Sequence, residues 1–416
     1  MAALSSKRGR DFLLARLLEP RVQQLRRDLR MIVNDLRGER AAPWLARDGA
    51  RYGASPRRSI DTRAFEVSGL VREAEALSLT LRPREGEELP LLRPGQFFTL
   101  LWPSDVPGAP PLRRAYSISS DCRDREQLRL TIKRVPGGRV SQALYASAEP
   151  GMRLELLGPS GSFGVEPEPE RAQPRKLVLI AGGSGITPMM AITHTLLGVE
   201  ANCEIVLIYA SRHHGQVIHG EELRELARSQ GPRLKLIEIY DEAPAGWSGP
   251  VGPATPEVLA PVLDGLPIAA EASTTFMLCG PQPMMDGASE LLRERGVDPE
   301  RITRESFLAG QRSAKPLPRT PQALTLSFEG PQARDAGVLV QPGQTILDAG
   351  LADGLPMPYS CTMGGCGACK VVLERGEVDM PEPNCLTQTE RASGQILACI
   401  ARPHSACRVR VPEDLS

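Results

Sequence analysis

Cys361-Thr362-Met363-Gly364-Gly365-Cys366-Gly367-Ala368-Cys369 decides how the C-terminal part of this chain folds. A fourth cysteine, Cys399, follows after twenty-nine intervening residues, in Ile396-Leu397-Ala398-Cys399-Ile400. The C-x4-C-x2-C spacing with one distant thiol suits a [2Fe–2S] cluster, in which four thiolates hold two bridged irons. The predicted ligands are therefore Cys361, Cys366, Cys369 and Cys399, and the chemistry is one-electron transfer. Glycines between the thiols let the loop turn tightly and aim its amides at sulfur. The alternative is a structural zinc site, which usually shows two paired knuckles. Here Cys399 stands without a second cysteine at knuckle spacing.

Residues 319–416 resemble plant-type ferredoxins. Thr345-Ile-Leu-Asp-Ala-Gly-Leu-Ala-Asp-Gly-Leu355 is similar to the helix that precedes the cluster loop in that family, and Pro356-Met-Pro-Tyr-Ser-Cys361 to its approach to the loop. Cys385 and Cys407 fall outside the ligand pattern and are read as small core residues.

At 416 residues the chain exceeds one ordinary core, and about three domains are expected. Fifty basic residues balance fifty acidic ones, so nothing global points to a nucleic-acid partner. Nine cysteines, four of them in a metal pattern, fit a reducing compartment better than a disulfide framework. No apolar run reaches the roughly 18 residues of a membrane span, and there is no secretory apolar segment. A soluble cytoplasmic protein is expected. Charge is nevertheless uneven. Residues 1–40 carry ten Lys/Arg against five Asp/Glu, and residues 321–416 carry seven against eleven. The acidic C-terminal part is open to three readings: a face that steers a basic partner, one that docks on the chain's own preceding domains, or an ordinary solvated surface.

Residues 1–60 read as a helical N-terminal extension. Val22, Leu25, Leu29, Ile32 and Leu36 form one apolar stripe, and Pro20 separates two helices. This basic amphipathic segment is open to three readings: packing on the protein body, peripheral membrane contact, or partner docking. Asp11, Glu19, Asp28 and Asp35 argue against a transit peptide.

From about residue 61 the period becomes two. Segments 65–71, 76–81, 95–102, 115–120 and 128–134 are predicted strands divided by Pro, Gly and Asp turns, which suggests a small antiparallel barrel. From Lys176 strands alternate with helices. The apolar runs 177–181, 204–209, 234–240 and 275–279 predict a parallel, doubly wound sheet. A Pro-, Lys-, Arg- and Ser-rich stretch then reads as a linker.

Arg114-Ala115-Tyr116-Ser117 lies on the fourth predicted barrel strand. A guanidinium, an aromatic ring and a hydroxyl along a strand can hold a flavin: charge for its pyrophosphate, a ring for its face, a hydrogen bond near its reactive nitrogen. Thr131-Ile-Lys133-Arg-Val-Pro-Gly137-Gly138-Arg-Val140-Ser141 is a strand, a Gly-rich turn and a helix start, whose exposed amides can cradle phosphate. Gly182-Gly183-Ser-Gly185-Ile-Thr187-Pro188 follows an apolar strand and opens a helix, although it departs from G-x-G-x-x-G. Cys279-Gly280-Pro281 ends another strand, where open α/β sheets bind ligands. Taken alone, Cys279 reads as a buried core thiol. Glu305-Ser306-Phe307 closes this region.

In this order the motifs make residues 61–312 similar to the ferredoxin–NADP reductase superfamily. With the cluster domain attached, the chain resembles the flavin-plus-[2Fe–2S] reductases that feed oxygenases, hydroxylases and desaturases. The resemblance implies an antiparallel β-barrel for FAD (61–170), an α/β parallel sheet for NAD(P) (171–312), a linker (313–320) and an α+β ferredoxin-like β-grasp (321–416). It implies that Arg114, Ala115, Tyr116, Ser117, Thr131, Lys133, Gly137, Gly138, Val140 and Ser141 bind FAD rather than FMN. Gly182, Gly183, Gly185, Thr187, Pro188, Ser211, Arg212, Cys279, Gly280 and Pro281 would line the nucleotide groove. Ser117, Cys279 and Glu305 would stand closest to hydride transfer. Ser211 and Arg212 tip the reading slightly toward NADPH, but the superfamily places arginine here in NADH users too, and both remain open. His213 and His214 are read as loop-surface residues.

The implied path runs from NAD(P)H to FAD, to [2Fe–2S], to a redox acceptor protein. The N-terminal extension adds a resemblance to reductases of membrane fatty-acyl desaturases. Two other readings are a self-contained reductase of a small molecule or oxygen, and a non-enzymatic redox sensor with the N-terminal helices as output.

Overall fold

A computed structural model describes residues 62–412 apart from 74, 105–110, 162, 172, 308–315, 331–332, 366, 382–383 and 387. The predicted N-terminal helices, the start of the linker (313–315) and Cys366 lie outside the described residues.

Strands β1 (Thr62–Glu73), β2 (Ala76–Pro83), β3 (Phe97–Trp102), β4 (Leu112–Ser117) and β5 (Leu128–Lys133) lead to helix α1 (Arg139–Ser147) and strand β6 (Arg153–Ser160). They form an antiparallel sheet in the order β4-β3-β6-β1-β2-β5, and an Ile118–Leu130 bridge joins the two edge regions into a barrel. Period-two burial is plain in β1, where Phe65 and Val67 are buried and Glu66 is exposed. In β2 the first four residues are all buried, because that strand also faces the next domain. Ala76 packs in the core of the nucleotide domain, and Ala191 of that domain packs in the barrel core.

The next region is β7 (Lys176–Gly182), α2 (Ile186–Val199), β8 (Glu204–His213), α3 (Gly220–Gln230), β9 (Leu234–Glu242), α4 (Pro256–Asp264), β10 (Thr275–Cys279), α5 (Gln282–Glu294) and β11 (Ile302–Glu305). Its sheet runs β11-β10-β7-β8-β9 with parallel neighbours throughout. Apolar on almost every face, α2 is buried along nearly its whole length. Both faces of the sheet are covered, as continuous apolar strands require. Strand β8 continues through Ser211 and Arg212 to His213, so these residues sit on the strand rather than after it.

The C-terminal region is a mixed sheet, β13-β12-β18-β14-β16, packed on one helix. Its elements are β12 (Gln322–Phe328), β13 (Arg334–Val340), α6 (Ile346–Ala352), β14 (Lys370–Arg375), β15 (Val378–Asp379), β16 (Gln395–Leu397), β17 (Arg402–Pro403) and β18 (Cys407–Val411). Part of its acidity is answered within the sheet: Arg408 pairs with Asp335 and Glu374, Arg410 with Glu329 and Glu374. Cys407 is buried in the core, as read, while Cys385 is half-buried beside it.

Helix α6 begins with a capping box. Thr345 accepts from the Asp348 amide at 3.1 Å, and the Asp348 carboxylate accepts from the Thr345 amide at 3.2 Å. The next two amides leave the helix, Ile346 N–H donating to the Ala401 carbonyl and Leu347 N–H to that of Ala398. The helix start therefore clamps the segment carrying Cys399. Thr345→Ala should lower stability by about 1 kcal/mol. A thermal scan followed through the cluster absorbance, with an earlier loss than in wild type, checks this.

Candidate functional site: a flavin, nucleotide and cluster junction

The cluster loop joins two distant segments by backbone pairing. Ala398 N–H donates to the Cys369 carbonyl at 3.0 Å, which sets the Sγ atoms of Cys369 and Cys399 3.1 Å apart. Met363 N–H points at Cys361 Sγ, 3.4 Å away. All three thiols are buried, and none of the described cysteines is in a disulfide. At Gly364 φ is +77°, and a Cβ there would lie 2.6 Å from Ile400 Cδ1. Among the described residues no group of three His, Cys, Asp or Glu side chains is placed to hold a metal ion. A two-iron cluster with four cysteine ligands does not need such a triad, and the close Cys369–Cys399 pair fits two thiolates on one iron. Thiolate donors, buried sulfur and inward amides fit the cluster.

On the barrel, adjacent residues of β4 point to opposite faces. Arg114 is exposed and Tyr116 is half-buried on the same face, with Ser117 buried at the strand end. Burial pushes the Tyr116 hydroxyl far up, against a smaller lowering by the Arg114 guanidinium, so the phenol stays protonated. Gly138 starts α1 with no side-chain cap. Its first-turn amides are thus left for an anion, and Ser141 accepts the Val135 amide at 3.2 Å. Two predicted residues sit differently from a direct ligand role. Thr131 Oγ1 is occupied by Ser78 Oγ (3.0 Å), Ser119 Oγ (2.8 Å) and His219 Nε2 (2.9 Å). The Val140 side chain is in the barrel core, which leaves its amide to face a phosphate. Lys133 Nζ is 3.8 Å from the Glu75 carboxylate, and a Cβ on Gly183 would lie 3.5 Å from it, between barrel and nucleotide loop.

At the C-terminal ends of β7 and β10 the two predicted loops are packed backbone to backbone. A Cβ on Gly185 would sit 2.0 Å from the Cys279 carbonyl oxygen, and one on Gly182 would sit 2.6 Å from Pro281 Cδ. Thr187 donates to the Ser184 carbonyl at 3.0 Å and is buried, with Pro188 following it in the first turn of α2. Cys279 is fully buried and pairs in register with Glu305 across β10 and β11. Burial, then the Glu305 charge, hold the Cys279 thiol well above its ordinary range, which suits packing rather than nucleophilic work. Glu305 is 8% exposed, and its Oε2 has no hydrogen-bond partner among the described residues. Burial, then the charge of Cys361, push its carboxyl up to about 8. A buried acid left without a partner at the ligand-binding end of the sheet fits a polar cofactor edge. Ser211 is buried and Arg212 exposed; His213 is half-buried at the end of β8, and His214 is exposed in the turn that follows, its ring 5.9 Å from that of Tyr240.

Two groupings have no signal in the sequence. Glu222 gathers Arg129 (2.9 Å), His194 (3.0 Å) and His219 (3.2 Å), tying α3 to β5 and α2. At the other end of the site, a Cβ on Gly365 of the cluster loop would lie 3.3 Å from the Ser306 carbonyl oxygen, next to Glu305. The cluster loop thus abuts the last strand of the nucleotide domain. Gly185→Ala should force the two nucleotide loops apart and slow NADH- and NADPH-dependent flavin reduction at least tenfold, since overpacking costs about 1–3 kcal/mol. Stopped-flow absorbance checks this, with the cluster spectrum expected unchanged.

Comparison with known proteins agrees with this geometry. Three domain-family profiles match in order: the oxidoreductase FAD-binding domain over residues 68–164, the oxidoreductase NAD-binding domain over 179–290 and the 2Fe-2S iron-sulfur cluster binding domain over 332–404. The ferredoxin reductase component of 3-ketosteroid-9-alpha-monooxygenase from Mycolicibacterium smegmatis is 34% identical, covering 82% of this chain and 94% of its own length. The reductase subunit of glycine betaine monooxygenase from Pseudomonas aeruginosa is 33% identical over 75% of this chain and 85% of its own. Phthalate dioxygenase reductase shares the fold, with a TM-score of 0.57 at 22% identity over 84% of this chain and 98% of that one. The chain belongs to the family of NAD(P)H-dependent ferredoxin reductases that join FAD-binding, NAD-binding and [2Fe–2S] domains in one polypeptide, and it passes electrons from NAD(P)H through FAD to the cluster.

Proposed function

We propose that this chain is the reductase component of an oxygenase-type system, delivering single electrons from its cluster to a separate acceptor protein. The observation that carries the reading is the contact of the cluster loop with the end of β11, which puts Cys361 beside Glu305. The two relatives named above are components of monooxygenases, and a hydroxylase or desaturase would present the same need. Domain limits at 61–170, 171–312 and 321–416 are part of this reading.

Bound here, FAD would supply hydride acceptance and one-electron release, and a [2Fe–2S] cluster held by the cysteines would supply one-electron transfer. The protein's residues orient and shield. Arg114 and the α1 amides would hold the pyrophosphate, Tyr116 would cover the ring and Ser117 would bond near its reactive nitrogen. Gly182, Gly183, Gly185, Thr187 and Pro188 shape the nucleotide groove, closed by Cys279, Gly280 and Pro281. Cys279 and Glu305, both buried, exclude water where hydride passes. Of the pair Ser211 and Arg212 only the arginine is exposed, so selection for a 2′-phosphate falls on its guanidinium. Arg212→Ala should then lower kcat/KM for NADPH more than for NADH, and equal losses would remove that role.

No helix among the described residues is long and apolar enough to cross a membrane. A cytoplasmic location with peripheral membrane contact through the basic N-terminal segment completes the reading. Deleting residues 1–45 should weaken co-sedimentation with anionic liposomes without changing cytochrome c reduction.

The order of carriers has its own test. Cys366→Ser should abolish NAD(P)H-dependent cytochrome c reduction and leave ferricyanide reduction near wild type. Survival of both rates would place the cluster outside the path and favour a self-contained small-molecule reductase.

A further inference from the structure

Arg113 stands beside the flavin-facing Arg114 but points to the other face of β4. Its guanidinium carbon lies 4.8 Å from the centroid of the Tyr359 ring. Tyr359 is two residues before the cluster ligand Cys361 and packs against the core of the ferredoxin-type domain. Both side chains are half-buried, which strengthens a cation–ring attraction by removing water from it. The contact therefore spans two domains and joins a flavin-binding strand to the approach of the cluster loop.

We propose that Arg113 is a positioning residue for flavin-to-cluster electron transfer, acting through the Tyr359 ring to hold the cluster loop against the flavin strand. The inference rests on the reading that the cluster lies downstream of the flavin. On one side the loop touches the Ser306 carbonyl through Gly365, a backbone contact that restrains it only at close range. The Arg113–Tyr359 stack supplies a second, directional point of attachment, and two points fix an orientation that one cannot. Arginine suits the task, because its planar guanidinium stacks on a ring while keeping its N–H groups for other partners.

The test uses the full-length holo protein. In Arg113→Ala and in Tyr359→Leu, single-turnover cluster reduction by NADH or NADPH should slow roughly fivefold, the loss expected for removing one such contact from a docking equilibrium. Flavin reduction and ferricyanide reduction should stay near wild type. Amide hydrogen exchange in the peptide 355–365 should speed up in both variants, a readout independent of turnover. Tyr359→Phe, which keeps the ring, should restore most of the rate, and Arg113→Lys, which keeps the charge but loses the planar stack, only part of it. The double variant should be no slower than the worse single one, since each removes the same contact. Unchanged cluster reduction with unchanged exchange would overturn the proposal, as would additive losses in the double variant. Loss of flavin or cluster from both single variants would also overturn it, by showing a folding role. Should Cys366→Ser instead displace the cluster from the electron path, the exchange measurement still reports whether the contact holds the loop.

Discussion

Cys369 and Cys399 meet because the Ala398 amide bonds the Cys369 carbonyl, and because α6 donates its two leading amides to carbonyls on either side of Cys399. Four thiolates can hold two irons only if two segments some thirty residues apart in sequence are brought within a few ångströms. The whole C-terminal fold answers that requirement. The capping box at Thr345 orients α6, α6 fixes the Cys399 segment, and the sheet behind them supplies an apolar core that keeps the sulfurs from water. Thiol burial and loop geometry are thus consequences of helix capping and strand pairing some distance away.

The same economy governs the nucleotide half. Gly185 and Gly182 are small because the carbonyl of Cys279 and the ring of Pro281 occupy the space a Cβ would need. Two loops at neighbouring strand ends become one surface. Between the halves, Glu222 concentrates three basic groups from different elements and is held strongly in its charged form despite partial burial. The barrel and the nucleotide domain also lend residues to each other's cores, so the site at their junction sits on a shared, rigid foundation.

Most of the architecture was legible as pattern. Period-two alternation announced the barrel, strand–helix alternation announced the parallel sheet, and thiol spacing announced the cluster. In the barrel and the nucleotide sheet two strands escaped. In β6, Arg153–Ser160 includes Gly158 and Pro159, which read locally as a turn, and β11 spans only Ile302–Glu305, too short to show a period. Both became strands because neighbouring strands supplied hydrogen-bond partners, which is tertiary information. Thr131 and Val140 show the converse. Their place in a motif suggested direct cofactor contact, and the fold turned one side chain into a polar network and the other into the core.

Local order along the chain pointed to a cluster, a flavin and a nucleotide site, because each motif is a short run with its own chemistry: thiols at fixed spacing, glycines before a helix, Arg-x-Tyr-Ser on a strand; their order along the chain, through the family it resembles, named the cofactors. The tertiary structure alone decided how those sites address one another. Glu305 beside Cys279, Ser306 against Gly365 and Arg113 over Tyr359 are pairs separated by 26, 59 and 246 positions. No local propensity couples residues so far apart; only the packing of three cores brings them together.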